Sequence, residues 1–268
     1  MILRPIYAVM ERELVRTLRQ RTRLLASLVR PLIWLFIIGA GFGSVYAGRD
    51  LHYQNYLVPG VLGMTLLFGA MLAALSLVHD KESGVMRMLV IAPFAHHWIV
   101  LAKTLSAALA AILQGLLLLV VLALLGFLDP HMRWGLLAFG LVVCALTCAG
   151  IGVLTAAFSR TLENFAAVMN FVIFPVFFLS SALYAVQDLP TALALVARIN
   201  PFTHGVDLLK HAMLVPLGAQ HAAEFSIGAD LLCTLGFTLL ALIAASWRFS
   251  QEGRYEPLIY SLAGKRGG

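Results

Sequence analysis

The residues that could carry out chemistry in this chain are few, and their spacing favours packing over reactivity. Cys144 and Cys148 stand four positions apart, so a helix would place both thiols on one face, where they could form half of a metal site. No histidine or acidic residue lies near them in the sequence, and buried cysteines usually act as small packing residues. His96 and His97 are adjacent and would point in different directions on a helix, so they are not expected to share an ion. The sequence therefore predicts no metal site.

Sequence motifs of hydrolytic enzymes and of nucleotide-binding motors are absent from the chain. It contains no Gly-x-Ser-x-Gly, no His-Glu-x-x-His and no Gly-x-x-x-x-Gly-Lys-Ser/Thr loop. Ionisable residues are also scarce in the long apolar runs, where Lys103 and Asp230 lie close to the ends of theirs. Proton- and sodium-coupled carriers usually need buried acids or broken helices at the membrane midplane, so this pattern disfavours them. We predict a non-catalytic chain with no cofactor of its own, and ATP-driven work would need another subunit.

The composition is that of a protein that lies in a membrane. Hydrophobic residues make up 61% of the 268 residues and charged residues only 12%, whereas soluble domains carry about 25% charged residues. The net charge is +6, but the basic residues flank apolar runs and form no aromatic and basic platform of the kind that binds single strands. Nucleic acid is therefore not an expected partner.

Six apolar runs are the elements that would position the polar residues, and each is near the roughly 20 residues that cross a bilayer as a helix. Backbone polar groups in lipid must be satisfied within the segment, and the alternation suited to a barrel is absent, so the predicted fold is all-α. The predicted spans cover residues 24–46, 56–78, 104–127, 135–158, 165–186 and 227–247.

The distribution of basic residues predicts the orientation of these spans. With the N-terminus in the cytoplasm, fifteen of the 19 Lys and Arg residues fall on the inner side and four on the outer side. The positive-inside rule therefore predicts cytoplasmic termini, an even number of spans and a cytoplasmic tail at residues 248–268.

Two segments on the inner side are too amphipathic or too apolar to be ordinary solvated loops. Residues 1–23 place an apolar stripe beside a basic stripe, which predicts an amphipathic helix on the inner membrane surface. The alternative is a solvated basic arm. The inner loop contains a short apolar helix, Val85 to Ile91, that ends before Pro93. This helix is too short to span, so it lies at the interface or docks into a groove of a partner.

The outer segment between the last two spans is also too apolar for a solvated loop. Its pattern predicts two short helices, at residues 191–199 and 203–214, broken by Asn200-Pro201. Each is far too short to cross the bilayer, so re-entrant or interfacial hairpins are expected.

Polar and aromatic side chains within two spans are the candidates for contact with a substrate. The fifth span is rich in phenylalanine and includes one amide, and the third span carries a second amide. Half of the phenylalanines are expected to face lipid while the others could line a path for an amphipathic compound, and each amide could instead form an interhelical hydrogen bond. The candidate path residues are Gln114, Asn170, Phe171, Phe174 and Phe178.

Four sequence features, in the same order along nearly the whole chain, carry a resemblance to a known family. They are the start of the first span at Arg30-Pro31-Leu32-Ile33-Trp34-Leu35, the inner loop Glu82-Ser83-Gly84-Val85-Met86-Arg87-Met88-Leu89 with Ala92-Pro93, the long outer segment, and Ile199-Asn200-Pro201-Phe202-Thr203-His204 followed by Val206-Asp207-Leu208-Leu209. With them the chain resembles the membrane subunit of an ABC transporter, of the ABC-2 type of exporter permease. Ala102 before Lys103 departs from the family pattern, which commonly has Gly there. Among subfamilies, the chain looks similar to bacterial drug-type and nodulation-factor-type export permeases.

The resemblance implies a homodimer in the bacterial inner membrane, bound to two ATPase subunits that would hold the ATP and magnesium. In the family, the loop after the second span carries the coupling helix, and the outer hairpin lies near the external gate. On this chain the implied coupling residues are Glu82, Gly84, Val85, Arg87, Met88, Leu89 and Pro93, and the implied outer-gate residues are Asn200, Pro201, Phe202 and His204.

The function implied by the resemblance is export of an amphipathic or lipid-like compound, driven by ATP that the partner hydrolyses. Two alternatives stay open: a secondary carrier or channel that works alone, and a membrane assembly factor that transports nothing.

Overall fold

The structure is a computed structural model that describes residues 10–13, 15–16, 18–19, 21–43, 53–84, 96–218 and 223–263, with backbone alone at 21–26, 42–43, 96 and 252–263. Every regular element in these ranges is helical, and none is a strand, in agreement with the predicted all-α fold. The elements are α1 (Arg21–Ile33), a π-helical turn (Trp34–Ile38), α2 (Gly39–Gly43), α3 (Tyr53–Glu82), α4 (His96–Leu124), α5 (Trp134–Phe158), α6 (Leu162–Phe178), α7 (Thr191–Ile199), α8 (Pro201–Met213) and α9 (Ile227–Ala263).

Four of the helices are long and apolar enough to cross a membrane. They are Tyr53–Glu82, His97–Leu124, Trp134–Phe158 and Ile227–Gln251, and they coincide with the predicted second, third, fourth and sixth spans. The predicted first and fifth spans coincide with shorter apolar helices, Ser27–Gly41 and Leu162–Phe178. The described residues thus contain four candidate spans, and the six-span topology stays a prediction.

The helix bounds differ from the predicted runs mainly at charged and small residues. α3 continues to Glu82, and α4 begins at His96, eight residues before the predicted run, so Lys103 lies inside a helix. α6 ends at Phe178 where the predicted run continued to residue 186, and a turn follows. The apolar pattern missed these bounds because Lys103 is neutralised by buried carboxylates and because the turn after α6 is itself apolar.

α3 lies at the centre of the bundle and packs against α4, α5 and the turn after α6. A Cβ atom on Gly60 would lie 2.0 Å from the carbonyl oxygen of Ala182, so only glycine lets this turn rest on α3. A Cβ atom on Gly152 of α5 would lie 3.1 Å from that of Ala74, which shows how closely α3 and α5 approach. Small residues therefore determine the packing at the core of the bundle.

The outer segment folds into the two short helices that its pattern predicts. The first occupies Thr191–Ile199, as predicted, and the second begins at Pro201 and ends at Met213, close to the predicted 203–214. Pro201 suits the first position of α8, where its missing amide hydrogen costs nothing. α8 is buried almost throughout, against α5, α9 and α3.

Candidate functional site

Two of the seven predicted coupling residues, Glu82 and Gly84, lie within the described residues; Val85, Arg87, Met88, Leu89 and Pro93 lie outside them. Gly84 has a φ of 77°, in the left-handed region that favours glycine, and its amide donates to the carbonyl oxygen of Lys81 at 3.2 Å. This is a common way to end a helix. α3 therefore ends at Glu82, the first residue of the predicted coupling segment, which runs from Glu82 to Pro93.

The last turn of α3 is bonded to the inner ends of two other helices. The Lys81 Nζ atom donates to the carbonyl oxygens of Ala157 at 2.8 Å and Ala156 at 3.3 Å, at the C-terminus of α5, where the helix dipole favours a cation. The Glu82 carboxylate accepts a hydrogen bond from the Leu162 amide at 3.3 Å, at the N-terminus of α6, where the dipole favours an anion. Two consecutive residues thus hold the inner ends of α3, α5 and α6 together at the start of the predicted coupling segment.

A group of charges, which we term the inner ion cluster, consists of the buried residues Glu13, Asp80 and Lys103 and the half-exposed Arg12. The Lys103 Nζ atom lies 2.9 Å from Glu13 Oε1 and 2.5 Å from Asp80 Oδ2, and the Lys103 side chain is only 2% exposed. Arg12 lies 3.0 Å from Glu13 and 3.3 Å from Asp80. The cluster therefore ties the N-terminal residues to α3 and α4.

The charges of the inner ion cluster change the acidity of Glu13. Burial by itself raises the pKa of this carboxyl, but Lys103 and Arg12 outweigh burial and hold the pKa below its usual value of 4.5. Glu13 is therefore ionised at neutral pH.

A cavity of about 160 Å³ opens beside the inner ion cluster, between the N-terminal residues, α3 and α4. One part of its wall is polar and the other is apolar, so the lining suits a group that is itself amphipathic. The polar lining residues include Arg16, Ser76, His79 and Ser106, and the apolar ones include Leu72, Leu75, Ala107 and Ala110.

The predicted outer-gate residues join α6 to α8. Asn200 donates through Nδ2 to the carbonyl oxygens of Val176 at 2.7 Å and Leu179 at 2.8 Å, and its Oδ1 accepts from the Phe202 amide at 3.1 Å. One side chain thus provides hydrogen bonds to backbone carbonyl oxygens at the C-terminus of α6 and to a backbone amide at the N-terminus of α8. The Phe202 ring is fully buried and packs on Phe177.

His204, the last predicted outer-gate residue, bonds to acceptors on both ring nitrogens. Its Nδ1 lies 2.8 Å from Asp230 Oδ1, and its Nε2 lies 2.9 Å from the carbonyl oxygen of Arg198. Acceptor oxygens at both ring nitrogens favour the imidazolium form, in which both nitrogens donate. Burial lowers the pKa of His204, but Asp230 and the Arg198 carbonyl outweigh it and raise that pKa above 6.5.

Further charges lie buried under the outer helices. The Lys210 Nζ atom donates to the Tyr56 hydroxyl at 2.8 Å and lies 3.6 Å from Glu224 Oε1. The Asp207 carboxylate accepts from the amides of Glu224 and Phe225 at 2.9–3.1 Å. These bonds fix α8 to α3 and to the loop before α9.

The predicted path residues fall on two different surfaces. Gln114 is buried beside Gly69 of α3, and its Oε1 atom accepts no hydrogen bond within the part of the chain that the structure describes. The other four lie on the exposed side of α6. Asn170 donates to the Ala166 carbonyl oxygen at 3.2 Å, and Phe171, which is 79% exposed, Phe174 and Phe178 form one apolar stripe.

Sequence reasoning missed most of the charged contacts. Lys103, Asp80 and Asp230 lie at the ends of apolar runs, where a single charge usually faces the membrane surface. The signal that could have found the outer charges is the spacing of His204, Asp207 and His211, which places them near one another on successive turns of α8. No such spacing joins Glu13 to its partners, because Asp80 lies 67 positions and Lys103 lies 90 positions later in the sequence.

Known proteins resemble this chain over most of its length. The ABC-2 type transporter family matches residues 4–214. Nodulation protein J of Rhizobium leguminosarum bv. trifolii is 31% identical over 198 residues, which cover 71% of this chain and 74% of that protein. The inner membrane transport permease YadH of Escherichia coli K12 is 23% identical over 85% of this chain and 88% of its own length. The putative transport permease ycf38 of Porphyra purpurea is 24% identical over 78% of this chain and 74% of its own length.

Proposed function

This chain belongs to the ABC-2 type transporter family of membrane transport permeases, and on that premise we propose that it is the permease subunit of an ATP-binding cassette exporter. It moves an amphipathic or lipid-like compound across the inner membrane, and a separate subunit hydrolyses the ATP. The working assembly is a homodimer of this chain with two ATPase subunits, which hold the ATP and magnesium.

The observation that best supports this mechanism is the junction at the inner end of α3. Lys81 and Glu82, which lie at the start of the proposed coupling segment, bond to the ends of α5 and α6. If an ATPase displaced that segment, the displacement would therefore be transmitted to the inner ends of α3, α5 and α6 together. Val85, Met88 and Leu89 offer the apolar contacts that a groove on the ATPase would bind.

The proposed topology has six spans and cytoplasmic termini, with α1 and α6 as the two shorter spans and α7 and α8 as a re-entrant or interfacial pair. The asymmetry of basic residues supports it. A reporter fused after Gly268 should read cytoplasmic, and a periplasmic signal would contradict the topology.

The proposed substrate class rests on surfaces of mixed or apolar character. The cavity near the inner ion cluster combines Arg16 and His79 with leucine and alanine side chains. The stripe of Phe171, Phe174 and Phe178 on α6 offers an apolar surface that a second copy or the substrate would cover. Both features suit a compound that has one polar and one apolar part.

The experiment is co-expression with a candidate ABC ATPase from the same organism, followed by purification in detergent. The ATPase should co-purify with the wild-type chain, and Met88→Glu or Leu89→Glu should weaken this, because a charge in an apolar groove is costly. Leu195→Glu is the matched control, since Leu195 is exposed on the outer helix α7 and lies far from the coupling segment in the proposed topology. Equal recovery of the ATPase with all three variants would refute the coupling role.

Transport by the purified chain alone separates the proposal from a secondary carrier or channel. Reconstituted without an ATPase, the chain should move no dye or drug down an ion gradient. Flux that needs only a proton or sodium gradient would favour a carrier.

A further inference from the structure

Three ligand-type atoms converge beneath the outer helices at a point that the exporter mechanism does not use. They come from Asp207 and His211 of α8 and from Asp230 at the start of α9, and all lie within 4.8 Å of one another. The His211 Nε2 atom lies 3.8 Å from Asp207 Oδ2 and 3.7 Å from Asp230 Oδ2. Both carboxylates are fully buried.

Hydrogen bonds account for only part of this arrangement. Asp207 accepts from the Glu224 and Phe225 amides and His211 Nε2 lies 2.9 Å from the Phe225 carbonyl oxygen, but none of these bonds joins the three side chains to one another. Distances of 3.7 and 3.8 Å are too long for a hydrogen bond, which needs about 2.7–3.2 Å. Asp230 Oδ2 is buried and accepts no hydrogen bond from any described residue, although Asp230 Oδ1 is bonded to His204. An oxygen left without a donor in the interior is costly even when the other oxygen of the carboxylate is bonded, and a cation at Oδ2 would remove that cost.

The spacing that is too long for a hydrogen bond is suitable for a shared metal ion. A triangle with two sides of 3.7 and 3.8 Å and a third of at most 4.8 Å has a centre no more than about 2.4 Å from each corner. Zinc binds histidine nitrogen and carboxylate oxygen at about 2.0–2.2 Å, so a shift of a few tenths of an ångström completes the site. The Phe225 carbonyl oxygen, 2.9 Å from His211 Nε2, is in reach as a further oxygen ligand.

We propose that Asp207, His211 and Asp230 form a binding site for a first-row divalent cation of the zinc type on the outer side of the bundle. One imidazole and two carboxylates suit such an ion, whereas Mg²⁺ and Ca²⁺ favour oxygen ligands alone. The ion fastens α8 to α9 and to the loop that Asp207 already caps. His204 acts as a positioning residue, because its bond to Asp230 Oδ1 orients the other oxygen toward the ion.

This site departs from the sequence-based prediction of no metal. Asp230 lies 19 residues after His211, beyond any short motif, and only the packing of α9 on α8 brings them together. The competing explanation is that no ion is present and that His211 Nε2 donates to the Phe225 carbonyl oxygen. The two explanations differ in whether the chain binds one metal ion. The proposal does not depend on the transport function.

The test is a metal titration of the full chain, purified in detergent with a histidine-free tag and stripped with EDTA. Zn²⁺ should bind at one equivalent per chain and raise the melting temperature, and Co²⁺ should bind at the same site with a visible ligand-field spectrum of nitrogen and oxygen ligands. Absence of saturable binding would overturn the proposal and leave His211 as a hydrogen-bond donor to the Phe225 carbonyl oxygen. A sulfur-to-cobalt charge-transfer band would also overturn it, because it would place the ion on cysteine.

Two variants and one control assign the ligands. His211→Gln and Asp230→Asn should each weaken Zn²⁺ binding by at least about tenfold. His131→Gln is the control, because His131 also pairs with a carboxylate, Asp129 at 2.8 Å, but is exposed in a loop. Wild-type affinity in both ligand variants would refute the assignment. If those variants do not stay monodisperse, the cobalt spectrum and stoichiometry of the wild type and His131→Gln decide the question.

Discussion

Replacement of Lys103 by methionine should destabilise the protein strongly, because it removes the buried cation of the inner ion cluster. Methionine keeps the length of the side chain and its apolar packing but loses the charge. Glu13 and Asp80 would then stay buried, with side chains only 10% and 5% exposed, and with Arg12 as a cation beside them. Breaking a buried pair by removing one partner typically costs about 3–5 kcal/mol.

Arg12 reduces this cost, since it lies within 3.3 Å of both carboxylates, although it is half exposed and partly screened by water. We therefore expect about 3 kcal/mol for Lys103→Met, the lower end of that range. For a chain of this size, each kcal/mol lowers the melting temperature by about 2–4 °C. The expected decrease is therefore roughly 6–12 °C.

The assay is thermal unfolding of the purified chain in detergent, followed by circular dichroism. Arg16→Met is the matched control, because Arg16 is an exposed cation of the same N-terminal segment and should change stability by less than about 0.5 kcal/mol. Combining Lys103→Met with Glu13→Gln should cost at least about 1 kcal/mol less than the two changes added together. Equal melting temperatures for Lys103→Met and Arg16→Met, or simple additivity in the double variant, would refute the reasoning.

The remaining predictions concern pH, coupling and transport. The pKa of Glu13 is lower in the folded protein than its usual 4.5, so the stability that Glu13 contributes is present above pH 4.5 and is lost as pH falls through the folded pKa. Thermal unfolding below pH 5 should therefore depend less on pH in Glu13→Gln than in the wild type. Parallel curves of melting temperature against pH for the two proteins would contradict this. Lys81→Met should leave ATPase binding intact but reduce export, because it frees the C-terminus of α5 from α3; a loss of co-purification instead would place Lys81 in the ATPase interface. Phe174→Ala and Asn170→Ala should alter export without altering assembly, as measured by vesicle transport and size-exclusion chromatography, whereas wild-type transport in both would make α6 a packing helix.

Much of the helical architecture could be predicted from the sequence, because in a membrane the apolar pattern and the helix-breaking residues act locally. Thr191–Ile199 was predicted at its observed bounds, since Pro190 and the Asn200-Pro201 pair mark both ends. The long apolar helices α3, α4, α5 and α9 follow directly from runs of apolar residues. The predicted fifth span continues past Phe178, where α6 ends, because the turn that follows is itself apolar and does not interrupt the hydrophobic pattern.

The polar contacts could not be predicted, because they depend on which helices meet. Lys210 is one of the four basic residues that the predicted topology places on the outer side, where a charge usually meets water, yet it is fully buried against Tyr56 of α3. Glu13 and Lys103 form an ion pair across 90 positions of sequence. A single charge at the end of an apolar run has the same appearance in sequence whether it meets a headgroup or a buried partner.

The central claim is that this chain transports only when a separate ATPase drives it through the segment after α3. The most direct measurement is ATP-dependent uptake of a fluorescent amphipathic probe into inside-out vesicles that contain the chain and its co-expressed ABC ATPase. The account predicts that uptake needs both subunits, stops when the ATPase phosphate-binding lysine is replaced, and falls sharply with Leu89→Glu but not with Leu195→Glu. Uptake that persists without the ATPase, or that is unchanged by Leu89→Glu, would contradict it.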